Sequence, residues 1–356
     1  MRLHTIWRLT ITFTPPSQAA RRFGSRELDF KDTDSRFLVL FAALLLSGCA
    51  GQQSALDPAG PSAASIHLLG IFMYVGATLV TLLVTVLMLW PFVRRRERPV
   101  NTNLFLWGGG VVLPFLTLMA LVPYVMSVGH ESRAATTADQ LSIDVTGNFW
   151  WWEMSYRRVG DGSAVSSANE LRLPAGEPVE LLLRANDVIH SFWVPNLAGK
   201  TDLIPGRINR MVIQADRPGI YRGQCAEYCG LQHSLMAFDV VVMPRPEFDA
   251  WLSGLARPVA APDGAELRHG RELFVSLGCG TCHAVRGLSE GRLGPDLTQI
   301  GSRRTIAAGA LPGGVGNIAA WIASAQHLKP GNLMPSYDRL AGPELRAVAA
   351  YMESLK

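Results

Sequence analysis

The sequence predicts a multidomain membrane protein: a two-helix transmembrane hairpin, then an all-β Greek-key sandwich, then an all-α domain. Three observations support this prediction. Two long N-terminal stretches contain no Asp, Glu, Lys or Arg, the middle of the chain has short apolar runs between Pro and Gly turns, and the C-terminal part has helical periodicity. The composition agrees, because 48% hydrophobic and 17% charged residues is apolar for a soluble protein of 356 residues.

Residues 1–48 are predicted to be a leader, because the apolar run 37–46 has the length of a signal peptide. This run is followed by Ser-Gly-Cys49, which resembles a lipoprotein processing box and predicts that Cys49 is lipidated. The acidic residues that precede the run do not suit a signal peptide and leave the true start codon open. Residues 49–65, rich in Ser, Ala, Gly and Pro, are predicted to be a spacer.

The uncharged stretches 66–93 and 104–128 are predicted to be membrane-spanning helices. At 1.5 Å per residue they would extend about 42 and 37 Å, and a hydrocarbon core is roughly 30 Å thick. The segment 94–103 between them begins with Arg-Arg-Arg-Glu-Arg, and the positive-inside rule places such a basic loop in the cytoplasm. Everything after the second span would then lie outside the membrane.

The remaining two domains are predicted from their patterning. Residues 132–245 favour a β-sandwich, with strands expected around 141–145, 179–183, 210–213 and 238–242. Residues 263–356 favour a small helical domain, with helices expected over 266–277, 318–325 and 343–355. The Pro-containing segment 246–262 between them is predicted to be a semi-rigid linker with a short helix.

Five residues in the middle of the chain form the most informative motif. They stand in the order C-x-E-x-C-x-x-x-H-x-x-M and are Cys225, Glu227, Cys229, His233 and Met236. Two thiolates, an imidazole and a thioether are soft ligands, which suit copper far better than magnesium, calcium or manganese. A disulfide would leave the histidine and the methionine unexplained, and zinc does not usually take methionine, but both alternatives stay open.

A second motif, Cys279-Gly-Thr-Cys282-His283, is the C-x-x-C-H signature of covalent c-type haem attachment. Thioredoxin-like redox chemistry also uses two cysteines at this spacing, but within a βαβ pattern, and helical patterns surround this motif. Met334 and Met352 are the candidate thioethers for the second axial position of the haem iron. Met352 lies in a periodic helix, where a methionine is more often part of the core, so Met334 is favoured.

The first motif resembles the loop of CuA, the binuclear copper centre, in subunit II of the haem–copper cytochrome c oxidases. The resemblance implies a cupredoxin fold and a ligand set for two coppers: His190, Cys225, Glu227, Cys229, His233 and Met236. The two thiolates would bridge the coppers, Glu227 would lend its backbone carbonyl, and His190 would be the second histidine. The Glu227 side chain would also bind a magnesium ion at the interface with subunit I. Asp187 and Asp202 are assigned no role.

The resemblance also bears on the tryptophans and on the proton path. Trp150 matches the family position that receives the electron from cytochrome c, in a Trp150-Trp-Trp152 run that should be extended. In a strand the first and third of these rings share one face, so at least one large ring must meet solvent or a partner. Leu104 stands where family members often carry a glutamate at the mouth of a proton channel, which puts uptake by that route in doubt.

The C-terminal motif resembles a class I cytochrome c. Cys279 and Cys282 would hold one haem c covalently, and His283 and Met334, next to Pro335, would be its axial ligands. Pro295 would orient the His283 imidazole through its carbonyl, as in the family.

Together the resemblances imply subunit II of a cytochrome c oxidase, in a bacterial inner membrane with both redox domains on the outer side. Electrons would pass from a cytochrome or a bc-type complex through the haem to CuA and on to subunit I, where oxygen is reduced with proton translocation. Subunit III would be a further partner. The net charge of +4 does not suggest nucleic acid binding. A quinol oxidase would lack the copper ligands, and nitrous oxide reductase needs a large propeller. The alternative left open is a relay subunit of another terminal reductase, such as a nitric oxide reductase.

Overall fold

A computed structural model describes residues 50–93, 101–131, 141–157 and 164–356. The predicted leader, Cys49 and the basic loop 94–98 lie outside the described residues.

Two apolar helices form the membrane part. Helix α1 is Pro61–Val93, and the second span consists of a π-helical turn, Leu104–Val112, that continues into α2, Leu113–Glu131. Both are long and apolar enough to cross a membrane, and their most apolar stretches are not buried by other described parts of the chain. An edge-on contact between the rings of Phe72 and Tyr124, 6.5 Å apart, joins the two helices. The predicted hairpin is therefore confirmed, although α1 begins five residues earlier than the span predicted at 66–93.

The segment 50–60, predicted as part of a spacer, packs on the sandwich. Asn196 donates from its side chain to the carbonyls of Gly51 and Asp57, at 3.1 and 2.9 Å. Ala59 is buried, and a Cβ on Gly60 would lie 2.1 Å from the carbonyl oxygen of Gln214, so only glycine fits there. These bonds, with backbone hydrogen bonds from Ala59 to Asn196 and from Arg222 to Gln52, fix a segment that composition alone indicated to be a spacer.

The sandwich consists of two five-stranded sheets. The first has the order β3-β2-β1-β5-β8, with β1 Ser142–Asn148, β2 Trp151–Arg157, β3 Ala164–Ala168, β5 Pro178–Ala185 and β8 Asn209–Gln214. The second has the order β4-β10-β9-β6-β7, with β4 Glu170–Pro174, β6 His190–Trp193, β7 Thr201–Leu203, β9 Gly219–Cys225 and β10 Ala237–Met243. Strict alternation of buried and half-buried residues along β1 follows from the period-2 pattern in the sequence.

The core between the sheets is built around aromatic rings. Trp152 is fully buried and meets the rings of Phe192 and Phe238 at 6.1 and 5.2 Å. A Cβ on Gly223 would lie 2.1 Å from the Phe238 ring, so glycine is required on the neighbouring strand. This rigid support lies directly under the loop that joins β9 to β10.

The predicted linker contains helix α3, Arg245–Leu255, which packs on the sandwich. Phe248 and Leu255 are buried in the sandwich core, and the Trp251 ring lies 5.0 Å from that of Tyr156. These apolar side chains lie on one face of the helix, which explains why it docks and does not act as a spacer. Only residues 256–262 then connect the two domains.

The C-terminal domain is helical, as predicted. It contains α4 Ala265–Ser276, α5 Val315–Leu328 and α6 Gly342–Ser354, with two two-residue hairpins, β11 Ala284–Val285 with β12 Ser289–Glu290 and β13 Thr305–Ile306 with β14 Leu311–Pro312. Helices α4 and α6 approach so closely that a Cβ on Gly270 would lie 2.1 Å from the Ala347 carbonyl oxygen.

Candidate copper and haem sites

The copper motif lies at one end of the sandwich because two neighbouring strands end there. Strand β6 pairs with β9 through Phe192 opposite Cys225, which brings His190 beside the start of the loop. The loop runs from β9 to β10 and is closed by a hydrogen bond from the Cys225 N–H to the Met236 carbonyl, at 2.9 Å. A single 3₁₀ turn, His233–Leu235, directs the last two ligand candidates back toward the cysteines.

The donor atoms of the motif converge on one small volume. The sulfurs of Cys225 and Cys229 are 3.7 Å apart, and the His190 and His233 Nδ1 atoms lie 3.8 and 3.6 Å from them respectively. Met236 Sδ is 3.8 Å from the Cys229 sulfur, and the carbonyl oxygen of Glu227 is 3.2 Å from the Cys225 sulfur. All six predicted ligands are therefore brought together, and this soft set fits copper.

The two cysteines are not joined in a disulfide, because a sulfur–sulfur bond is about 2.05 Å long and theirs are 3.7 Å apart. Their hydrogen bond, with that from His190, lowers the pKa of Cys225 to about 3 against the opposing effect of burial. The same contact and burial raise the pKa of Cys229. One thiolate is thus available at neutral pH, and a bound cation would deprotonate the second.

Asp187 is a residue of the site that sequence reasoning missed. Its carboxylate lies 2.7 Å from His190 Nε2 and accepts a 2.7 Å hydrogen bond from the Phe149 N–H. Burial raises the pKa of Asp187, but the bonds to His190 and to backbone N–H groups outweigh it and lower the pKa overall. The carboxylate holds Nε2 so that Nδ1 faces the cysteines. Its position three residues before His190 was the available signal.

Replacing Asp187 by Asn is expected to weaken copper binding about 10- to 100-fold, the usual cost of losing a partner that orients a metal-ligating histidine. The amide removes the charge that fixes the imidazole. Copper titration of the purified chain would measure this. Asp216→Asn, at an exposed carboxylate, is the matched control and should leave the affinity unchanged. Equal affinities in the two variants would contradict a role for Asp187.

The Glu227 side chain points away from the sulfurs and is half-exposed. Its carboxylate accepts a 3.2 Å hydrogen bond from Lys200, whose ammonium also lies 3.9 Å from Asp202. A magnesium ion at Glu227 would have to displace this ammonium, because like charges repel at such distances.

Trp150 connects the copper loop with the C-terminal domain. It lies in the turn before β2, not on the strand as expected, while Trp152 enters the core. Its indole N–H donates to the carbonyl of Cys229 at 2.8 Å. The ring also lines a cavity of the C-terminal domain, together with Phe149 and Trp151.

That cavity is where the second motif lies. It has a volume of about 350 Å³, and its wall includes Cys279, Cys282 and His283. His283 Nδ1 donates to the Pro295 carbonyl at 2.8 Å, as the family loop implied, which leaves Nε2 free to bind iron. Burial is the main reason that the pKa of His283 is lowered, which keeps the imidazole neutral.

Met334 and Met352 both line the cavity. Met352 is fully buried in the helical core, whereas Met334 lies on a loop whose backbone is held on both sides: its N–H donates to Asn332 and its carbonyl accepts from Gln326. The choice between them stays a prediction, and the anchored loop supports Met334.

Arg303 is the cavity residue with the clearest demand for a ligand. The residue has an exposed fraction of 8%, and its Nε has no hydrogen-bond partner among the described residues. Burial lowers the pKa of Arg303, and the nearby carboxylates of Asp296 and Glu170 partly oppose this, while one Nη donates to the Asp296 carbonyl. Haem, an apolar ring with carboxylates, fits this cavity, because the wall is mostly apolar and the Arg303 Nε offers one free donor.

The fold and the two sites define a membrane-anchored electron-transfer protein with a copper domain and a haem domain. Residues 157–243 match the family described as cytochrome C oxidase subunit II, periplasmic domain, and residues 267–356 match cytochrome c. A cytochrome c oxidase subunit 2 from Alkalihalophilus pseudofirmus is 36% identical over 340 residues, covering 91% of this chain and 98% of the relative. The chain belongs to the cytochrome c oxidase subunit II family, with a fused cytochrome c domain, as the motifs predicted.

This chain is also similar to a second relative and to one solved structure. The cytochrome c oxidase subunit 2 of Bacillus subtilis is 31% identical over 348 residues, covering 90% of this chain and 96% of the relative. The periplasmic domain of subunit II of cytochrome oxidase from Bradyrhizobium japonicum is 29% identical, covering 34% of this chain and 96% of that structure, with a TM-score of 0.32 that adds nothing on the fold. The family makes this chain an oxidoreductase subunit that takes copper and haem and works with subunit I.

Proposed function

We propose that this chain relays electrons from an external donor through its haem domain to a two-copper CuA centre, and from there to the haem of subunit I. Oxygen would be reduced to water in subunit I, with proton translocation. The observation that carries the proposal is the position of Trp150, whose ring lines the haem cavity while its N–H bonds the carbonyl of Cys229. One side chain thus touches both sites.

The roles within the copper loop follow from the donor distances. Cys225 and Cys229, whose sulfurs lie 3.7 Å apart, would hold the copper pair as thiolates. His190 presents Nδ1 beside Cys225 and His233 presents Nδ1 beside Cys229, and Met236 and the Glu227 carbonyl would complete the set. Bound copper would supply the one-electron redox change. The rigid strands beneath the loop keep its ligands fixed during that change.

The roles within the haem cavity follow in the same way. Cys279 and Cys282 would form thioethers with the haem, and His283 would offer Nε2 to the iron because Pro295 holds Nδ1. Met334 would be the opposite axial ligand. The mostly apolar wall would keep water from the ring, and the unpaired Arg303 Nε would be available to a haem carboxylate.

The wider assembly is proposed from family membership. Both redox domains would lie on the outer side of a bacterial inner membrane, subunit III would accompany subunit I, and the donor would be a cytochrome or a bc-type complex. Glu227 would face subunit I and bind magnesium after release of Lys200. Cys49 would carry a lipid.

Trp150→Phe in the purified complex tests the relay. A phenyl ring cannot keep the hydrogen bond to the Cys229 carbonyl, and misplacing reacting groups by 1 Å can cost on the order of 100-fold in rate. Haem-to-copper transfer after flash reduction of the haem should fall tenfold or more, with both redox potentials unchanged. Trp151→Phe, which alters a ring that also lines the cavity, is the control.

Oxygen consumption by the same preparation distinguishes an oxygen-reducing oxidase from the alternative, a nitric oxide reductase. Donor-driven oxygen uptake that depends on Trp150 supports the oxidase. Nitric oxide consumption without oxygen uptake would replace it with a relay to a different reductase. An unchanged transfer rate in Trp150→Phe would remove the proposed path.

A further inference from the structure

The haem domain is docked on the copper domain through a buried lysine that neither motif includes. Lys329 ends helix α5 and has an exposed fraction of 3%. Its Nζ donates to the carbonyl oxygens of Trp150 and Leu235, both at 2.8 Å, and of Ala307 at 3.2 Å. The first two belong to the copper domain and the third to the haem domain, so a single side chain joins both.

The geometry suits an ammonium group. An ammonium has three N–H donors and no acceptor, and three carbonyl oxygens take them all. Burial lowers the pKa of Lys329 to about 7, and the nearby Cys229 partly opposes this. A neutral amine has only two N–H donors and would leave one buried carbonyl unpaired, which is unfavourable. Among the described residues no carboxylate pairs with this lysine, so the backbone carbonyls are its partners.

The three carbonyls lie at functionally important places. Leu235 is inside the copper loop, between His233 and Met236, and Trp150 is the residue that touches both sites. Ala307 belongs to the haem-domain loop 303–309, which lines the cavity. Lys329 therefore bonds to the turn that contains Trp150, to the copper loop and to the cavity wall at once.

Other contacts across the same boundary agree with one docked arrangement. The Ala237 N–H donates to the Ala308 carbonyl at 3.0 Å, and the Gln232 amide donates to the Pro330 carbonyl at 2.5 Å. Thr305 donates to the Asp239 carboxylate at 2.9 Å. These bonds also join the two domains. The Ala237 amide is a backbone donor among them, so its hydrogen exchange measures whether the domains stay docked.

We propose that Lys329 is a positioning residue that holds the haem domain in one docked arrangement on the copper loop. Electron transfer then takes place within a fixed pair and does not await the return of a domain on a flexible linker. The kinetic part of this proposal rests on the proposed relay, whereas the docking part concerns the chain alone.

Hydrogen–deuterium exchange of the intact complex tests docking. In Lys329→Met, a side chain of similar length without donors, protection of the Ala237 amide should fall about 10- to 100-fold, the value of one hydrogen bond to a charged group. Amides of strand β5 inside the sandwich should keep their protection. Lys356→Met, at an exposed lysine, is the matched control. Unchanged protection of Ala237 overturns the proposal.

Flash reduction of the haem tests positioning in the same samples. Transfer to copper should be independent of solvent viscosity in the unaltered protein, and slower and viscosity-dependent in Lys329→Met, with both redox potentials unchanged. An unchanged, viscosity-independent rate overturns the positioning role. If Lys329→Met loses protection throughout both domains, the variant Lys329→Gln, which keeps two N–H donors, is measured in its place. A partial loss of Ala237 protection and a partly slowed transfer in Lys329→Gln support the proposal. Unchanged protection and an unchanged transfer rate in Lys329→Gln overturn it. Absence of haem-to-copper transfer in the unaltered protein would instead refute the relay, leaving the exchange result to judge docking.

Discussion

Cys225→Ser is expected to abolish the copper centre. Serine keeps roughly the size of the side chain but replaces a soft thiolate by a neutral hydroxyl, which is a much poorer ligand for copper. Cys225 contacts the other sulfur, His190 and the Glu227 carbonyl, so its loss disturbs most of the donor set. Copper affinity should fall by more than about 100-fold, since even a residue that only orients a ligand is worth 10- to 100-fold.

Metal analysis and near-infrared absorption of the purified complex would measure the effect of Cys225→Ser, and oxygen uptake should fall with the copper content. Ser234→Ala, at an exposed residue of the same loop, is the control and should keep both signals. Full copper content with unaltered absorption in Cys225→Ser would contradict the assignment of this cysteine. Zinc in place of copper in the unaltered protein would contradict the assignment of the whole site.

Met334→Ala is expected to lower the haem redox potential strongly while the haem stays attached. Thioether ligation raises the potential of a c-type haem, and axial ligands span a range of roughly 0.8 V. Loss of the thioether should remove a sizeable part of that range. Attachment should persist because it depends on Cys279 and Cys282 and not on the loop that carries Met334.

A redox titration of the haem absorption band would measure the shift. Met352→Leu is the matched control, because it keeps an apolar side chain of similar size in the same cavity wall and should leave the potential nearly unchanged. The reverse outcome, a large shift in Met352→Leu and none in Met334→Ala, would make Met352 the ligand.

The haem domain is docked on the copper domain, so the two redox sites are held in one arrangement and not joined by a flexible tether. A flexible linker would only raise the effective concentration of the haem domain near the copper site. Each electron transfer would then have to wait until the two domains met. Helix α3 is instead packed on the sandwich through Phe248 and Leu255. Lys329 of the haem domain donates hydrogen bonds to two carbonyls of the copper domain. The sequence segment that looked like a tether is thus mostly part of the copper domain.

The sequence by itself determined the features whose signal is local. The copper loop and the haem motif are each contained in a few consecutive residues, so their spacing alone indicates the chemistry. The two spans follow from uninterrupted apolar stretches, and the alternation in 141–145 predicts a strand with one buried face. Family membership also followed from these motifs.

Only the tertiary structure decided the features that join distant parts of the chain. Lys329 meets Trp150 across 179 positions and Leu235 across 94, and no local pattern marks a lysine that will be buried by another domain. Asp187 becomes important only when strand pairing brings His190 beside Cys225. Trp150 lies in the turn and not in the strand predicted for it, because its indole N–H bonds to the Cys229 carbonyl and its ring lines the cavity. Local spacing specifies which atoms bind the cofactors, whereas long-range packing and buried hydrogen bonds specify where the two sites lie relative to each other.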